Sequence, residues 1–244
     1  MKKLILATAV MAACAGSYAH AEDIKPDNET SFNAGVVSDY RFRGISQTRL
    51  KPAVQGGVDY VNNPTGLYVG AWASNIKWTK DAGGSGQIEV DLYAGKRGQI
   101  TSDVSYDVGV LTYVYPSNGL ATSANTSEVY GQVGYGPAYL KYSHSLTNLF
   151  GYADSKNSGY VDLGANIDAG NGFTVNLHAG HQKVKGSDVA NYTDWKIGAT
   201  KDFGVVSGAL AVIGSNAREE AYSSAANGKF LGKTALVLSI SKTF

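Results

Sequence analysis

From residue 31 onward, apolar and polar side chains alternate in runs of about ten residues, broken by short polar stretches. In the run 173–183, Phe173, Val175, Leu177 and Ala179 hold one parity, while Asn176, His178, Gly180 and Gln182 hold the other. Val161, Leu163, Ala165 and Ile167 oppose Asp162, Gly164, Asn166 and Asp168 in the same way. A pleated strand sends successive side chains to opposite sides, so each run predicts a strand with one apolar and one polar wall. The first run extends over 31–43, with Phe32, Ala34, Val36, Tyr40 and Phe42 on one face and Asn33, Gly35, Asp39, Arg41 and Arg43 on the other. The remaining predicted cores are 53–61, 67–77, 87–97, 103–115, 128–135, 138–146, 159–168, 173–183, 193–202, 205–214 and 234–244. Two of them are weaker: 67–77 is bulky on both faces and 205–214 is apolar on both.

The links between runs sort by length. Residues 62–66, 136–137, 169–172 and 202–204 are tight and rich in Asn, Gly, Pro and Asp, which tolerate turn dihedrals. Between them fall the longer links 115–127, 146–158 and 215–233. Short turns at one end and long loops at the other are the habit of outer-membrane barrels, whereas a soluble sandwich has no reason to sort its loops. The expected fold is all-β: a single antiparallel up-and-down transmembrane β-barrel of about twelve strands.

Composition agrees with this reading. The chain has 30 glycines and 16 tyrosines but only 2 methionines among 244 residues, a profile poor in helix formers. The net charge of +1 gives no bulk attraction for nucleic acid. Residues 1–21 read as a signal peptide: Lys2 and Lys3, an apolar stretch 4–15 too short to span a bilayer, then Ala19-His20-Ala21 for cleavage. A competing reading takes Met11-Ala12-Ala13-Cys14 as a lipobox with Cys14 lipidated; cleavage after Ala21 removes the only cysteine. Residues 22–30 are expected to be a short periplasmic leader, and 31–244 the barrel. After residue 21 no apolar run approaches the ~20 residues of a membrane helix, which leaves a β-barrel or a soluble periplasmic protein.

The last run places Leu236, Leu238 and Ile240 against Val237, Ser239 and Ser241 and ends at Phe244. A terminal aromatic on an amphipathic strand looks like the signal that outer-membrane proteins offer to the barrel-assembly machinery, although Lys242 stands where an aromatic is commoner. Residues 31–76 carry SFNAGVVSDYRFRGISQT, then PAVQGGVDYV, then GLYVGAWASNI. This segment resembles the TorF family of putative porins, with Ser38-Asp39-Tyr40-Arg41-Phe42-Arg43-Gly44 and Ser46-Gln47 as its specific part. The resemblance implies an outer-membrane barrel along the whole mature chain and names no substrate.

On that fold the polar parity faces the lumen. The inward candidates for lining and selectivity are Asp39, Arg41, Arg43, Asp59, Glu89, Asp91, Asp107, Glu128, Lys141, Asp162, Asp194 and Lys196. They either set a field in a pore or pair to brace the wall. Acids outnumber bases among them, so an open lumen is expected to be mildly cation-selective.

Other motifs weigh less. His178 and His181 have metal-like spacing, but an odd offset on a strand puts them on opposite faces. His144 and Ser145 point apart for the same reason, and no acidic orienter accompanies them. Residues 228–234 end like a phosphate loop but lack one residue between the glycines and precede a strand. Glycines such as Gly56, Gly57, Gly131, Gly134 and Gly136 fit barrel curvature, and Tyr40, Tyr60, Tyr106, Tyr135 and Tyr160 fit interfacial girdles.

The expected function is a porin-like channel in the outer membrane that passes small solutes passively and with weak selectivity. It is expected to be no enzyme and to need no cofactor or metal. Its expected partners are membrane lipids, the assembly machinery and the solutes. The rivals are a closed structural or adhesive barrel, a lipid-acting barrel enzyme and a soluble lipocalin-like binder.

Overall fold

The alternating runs become the staves of a closed antiparallel barrel in the computed structural model, which describes residues 26–244. The wall consists of β1 (Asn28–Val37), β4 (Ala53–Asn62), β5 (Leu67–Asn75), β6 (Ile88–Gln99), β7 (Val104–Val114) and β8 (Thr126–Tyr135). It continues through β9 (Ala138–Ser145), β10 (Gly159–Gly170), β11 (Phe173–Lys183), β12 (Tyr192–Asp202), β13 (Ser207–Ser215) and β14 (Ala235–Thr243). Two short strands, β2 (Arg41–Phe42) and β3 (Ile45–Ser46), form a separate hairpin. The expected signal peptide and Cys14 lie outside the described residues.

Consecutive wall strands pair with one another, and β1 closes the ring by pairing with both β4 and β14. The seam reaches the last residue. Phe244 donates its N–H to the Phe32 carbonyl at 2.8 Å, and Phe32 donates back at 3.2 Å. The wall begins at Asn28, whose neighbours Glu29 and Thr30 pair with Val61 and Tyr60, so three residues expected in the leader belong to the barrel.

Outside, the apolar parity forms a continuous belt. Leu163 is 56% exposed, Ile197 58% and Leu238 58%, an area of bare aliphatic surface that water would penalise and lipid would not. No helix among the described residues is long and apolar enough to cross a membrane; the strands do the crossing. Tyr60, Tyr135, Phe173, Phe203 and Phe244 are exposed at the short-turn end of the belt, where an aromatic ring meets the interface. Tyr106 joins them, half-buried. Tyr40 and Tyr160, also expected in that girdle, face inward and are buried.

Inside, tyrosine and glycine are matched across the strands. Tyr68 stands opposite Gly95, Tyr93 opposite Gly70, Tyr130 opposite Gly109, and Tyr139 opposite Gly164. In each pair the phenol lies over the glycine so closely that a Cβ there would overlap it. The ring thus covers backbone that the glycine leaves bare, and the bulk of the two positions sums to what a narrow barrel can hold. This pairing explains a sequence rich in both residues.

Asn28 at the start of β1, Phe244 and the turns 63–66, 100–103, 136–137, 171–172 and 203–206 share one end. The other end carries the long links 38–52, 76–87, 115–125, 146–158, 184–191 and 216–234. These hold α1 (Trp78–Asp81), a 3-10 turn (Asp188–Ala190) and α2 (Glu219–Tyr222). They are knitted together: Asp81 accepts from Arg49 Nε at 2.8 Å and from Ser224 Oγ at 2.7 Å, and Tyr222 donates to the Ala190 carbonyl at 2.8 Å.

Candidate functional site: a hairpin braced across a polar lumen

The largest departure from the sequence expectation lies at the first strand. The alternation over 31–43 predicts one long stave, but β1 ends at Val37 and residues 38–52 fold into the barrel. Tyr40 and Phe42, expected to meet lipid, pack instead with Trp72, Ile76, Leu111, Tyr113, Tyr115 and Phe150. Asp39, Arg41 and Arg43 therefore belong to an inserted hairpin and not to a strand face. Burial decides the matter: aromatic rings in the lumen find each other, and Tyr40 meets Trp72 edge-on at 5.5 Å.

The hairpin is built by local rules. Phe42 and Ile45 pair, leaving a two-residue turn in which Arg43 and Gly44 have φ of 46° and 78°. Two positive φ values make a type I′ turn, whose twist suits a tight hairpin and whose second position favours glycine. Gly44 is required twice over, because a Cβ there would meet the Asp194 Cβ at 2.6 Å. Asp39 holds the stem, accepting from Arg41 Nε at 2.6 Å and Ser46 Oγ at 2.5 Å. Arg41 also donates to the carbonyls of Gly44 at 3.0 Å, Leu231 at 3.2 Å and Lys233 at 2.8 Å, which ties the hairpin to the link 216–234.

At the tip, Arg43 donates to Glu128 Oε2 on β8 at 2.8 Å and to Gln182 Oε1 on β11 at 2.7 Å. From β1, β8 lies five strands away round one side of the barrel and β11 four strands round the other. One guanidinium thus reaches the far wall. It also sits over the rings of Tyr160 at 4.2 Å and Phe42 at 4.7 Å. Burial opposes its charge, but the Glu128 carboxylate and the Tyr113 and Tyr160 phenols together offset this and hold the arginine above its ordinary range. Tyr40 donates to Glu89 Oε1 at 2.5 Å, and burial together with the Glu89 and Asp91 carboxylates keeps its phenol protonated far above the usual range.

Below the hairpin, toward the short turns, the lumen is lined by polar groups in pairs. Asp59 accepts from Tyr93 at 2.6 Å and Asp107 from Tyr68 at 2.6 Å. Lys141 lies 3.9 Å above the Tyr130 ring and in register with Asp162. His178 bridges Asp162 at 2.8 Å and Asp194 at 2.7 Å, with Lys196 beside it in register.

The twelve candidates therefore occupy two tiers. Asp39, Arg41, Arg43, Glu89, Asp91, Glu128 and Asp194 gather around or beside the hairpin; Asp59, Asp107, Lys141, Asp162 and Lys196 line the space below. His178, Gln182 and Arg97, on the polar parity but outside the twelve candidates, also face inward, the last standing opposite Asp107 in register and 5.4 Å from the Tyr68 ring. All three hold the inward parity of their strands, and that signal was available. His181 faces outward against Thr193, as its odd offset requires. Residues 228–234 lie in the link before β14.

A closed ring of strands, an apolar outer belt and a polar interior define the class: a transmembrane β-barrel. The chain belongs to the family described as "Bacterial protein of unknown function (Gcw_chp)", whose model matches residues 21–244. No curated protein matches the sequence. A structure from work on the mechanism behind the in-meso crystallization of membrane proteins superposes with a TM-score of 0.51 at 7% identity. The match covers 88% of this chain and 83% of that one, and shows the shared barrel fold. A mutant of Rh. blastica porin gives 0.39 at 12% identity over 78% of this chain; the chain spans 55% of that porin. LpxR from Salmonella typhimurium gives 0.43 at 13% identity, covering 88% and 99%. The last two superpose too loosely to carry an argument.

Proposed function

We propose that the protein is an outer-membrane channel that passes small solutes without acting on them chemically, its bore set by the inserted hairpin. The observation that carries this reading is the hairpin itself, stretched across a lumen whose wall is polar and charged, with Arg43 fixed between Glu128 and Gln182. A polar wall hydrogen-bonds a hydrated solute as it passes, and fixed charges at a constriction bias which solutes enter. Acids outnumber bases among the inward side chains, so the passage favours cations weakly. Outer-membrane lipids bathe the belt, and the assembly machinery reads the strand that ends at Phe244. The resemblance of residues 31–76 to the TorF porins points the same way.

A second reading is a closed structural barrel. It is favoured by the burial of residues 39–41 and 43–48 and by the aromatic cluster packed against the hairpin. Liposome swelling separates the two. Proteoliposomes of a channel swell in urea and glycine, and more slowly in arabinose; those of a closed barrel swell in none.

A further inference from the structure

We propose that the outer wall carries a docking site for a phosphate-bearing lipid, located at the long-loop rim where β9, β10 and β11 end. The proposal rests on the membrane reading but concerns a different surface from the lumen.

Register places the components. On the outward parity, His144, Gly159 and Lys183 form one row across the three strands; Tyr142, Val161 and His181 form the next row toward the membrane. The Tyr142 ring lies over Gly159, and beside it an open surface depression of about 530 Å³ runs between the two rows. Tyr142 and Asn157 line it from one side, and His181, Lys183 and Lys185 from the other. Lys183 and Lys185 are exposed. His181 is fixed through Nδ1 to Thr193 Oγ1 at 3.0 Å, and His144 Nε2 to Asn157 Oδ1 at 3.2 Å, so the walls are ordered.

Two features specify the ligand. First, β6, β7, β8, β12 and β14 put uncharged Ile88, Val114, Ser127, Thr193 and Leu236 outward at this rim, whereas β11 puts Lys183 there and the link that follows adds Lys185. Two ammonium groups beside a phenol and an amide offer the several donors that a phosphate takes up. The acids of the adjoining links, Asp154 and Asp188, lie outside the recess, and Asp188 already accepts from Asn191 at 3.0 Å. Second, the recess opens directly onto the bare belt, with exposed Val161 and then the Leu140–Leu163 pair below it. A headgroup held by the lysines lays its acyl chains on those side chains, so the site suits an amphiphile better than a free anion.

Native mass spectrometry of the detergent-purified full chain tests this, with bisphosphorylated lipid A, its dephosphorylated form and inorganic phosphate as probes. The expected result is binding of the phosphorylated lipid that falls about tenfold or more in the Lys183→Gln, Lys185→Gln variant, at roughly 1 kcal/mol per lysine. A control variant, Lys201→Gln with Lys242→Gln at the opposite rim, should bind as the parent does. Heat-modifiable migration establishes that each variant is folded; these exposed positions should leave it unchanged. Equal binding of the dephosphorylated lipid overturns the proposal, as does equal loss in both variants. Competition by inorganic phosphate at the lipid's own concentration assigns the site to a free anion and overturns it too. A chain recovered without detergent fails the membrane reading, whereas an extracted chain that does not discriminate among the probes fails this proposal alone.

Discussion

Arg43 and Glu128 are 85 residues apart in sequence, yet the guanidinium of one lies 2.8 Å from the carboxylate of the other across the barrel. Both side chains are nearly inaccessible, at 6% and 2%. A buried ion pair of this kind adds little net stability relative to apolar packing, but leaving one partner alone is costly. The pair therefore acts mainly to fix where the hairpin lies.

Replacing Arg43 with Ala strands the Glu128 carboxylate, and the expected loss is about 3–5 kcal/mol of unfolding free energy. Arg43→Met combined with Glu128→Leu removes both charges and should recover much of that loss. Urea titration of the barrel reconstituted in lipid vesicles measures both. An Arg43→Ala barrel as stable as the parent would show that the pair does not hold the hairpin.

The tyrosine–glycine matching is tested at Tyr139 and Gly164. An alanine at Gly164 drives its methyl into the Tyr139 phenol, so Gly164→Ala is expected to cost about 1–3 kcal/mol, in the range of overpacked cores. Adding Tyr139→Ala should relieve part of that cost. Strictly additive losses in the double variant would mean the two positions do not share space.

The seam strand sorts its faces by parity. Ile240 is 55% exposed on the belt, whereas Ser239 faces inward. Ile240→Arg should lower stability by about 2–4 kcal/mol if it lies near mid-depth in lipid, and Ser239→Arg by less. Equal effects on heat-modifiable migration and urea midpoint would contradict the assigned faces.

Orientation follows from the loops. Gly228, at φ 67° with open space around it, is the natural place for an epitope in the long link 216–234. Intact cells should bind the antibody. Labelling that appears only after the outer membrane is permeabilised would invert the barrel.

Most of the wall was legible because strand alternation has a period of two and survives in each run, and because turns and long loops sort by end. Thr126, not Glu128, opens β8, and Ser207, not Val205, opens β13, small slips of the kind that fraying strand ends invite. The hairpin was not legible as such. Tyr40 and Phe42 continue the apolar parity of Phe32, Ala34 and Val36, so a lumen-filling segment and a lipid-facing stave look alike. Two signs were present all the same: Ser38 breaks the apolar parity, and Arg43-Gly44 supplies a residue suited to positive φ. The site residues were half legible for a related reason. Counting charges found Glu89 and Glu128 but passed over His178 and Gln182, whose value comes from partners on other strands. Nothing local in the sequence says that one arginine bridges β8 and β11.

The channel account stands or falls on current through the reconstituted barrel. Single-channel recording in a planar bilayer, under a KCl gradient, should give small discrete steps and a reversal potential of the sign for mild cation preference, fading as salt screens the lumen over ~10 Å near 0.1 M. The Arg43→Ala barrel, checked for folding by gel migration, should conduct more because the brace at the hairpin tip is gone. Parent and variant both silent would contradict the account and leave a closed barrel. A reversal potential of the opposite sign would keep the channel but assign its selectivity to Arg41 and Arg43.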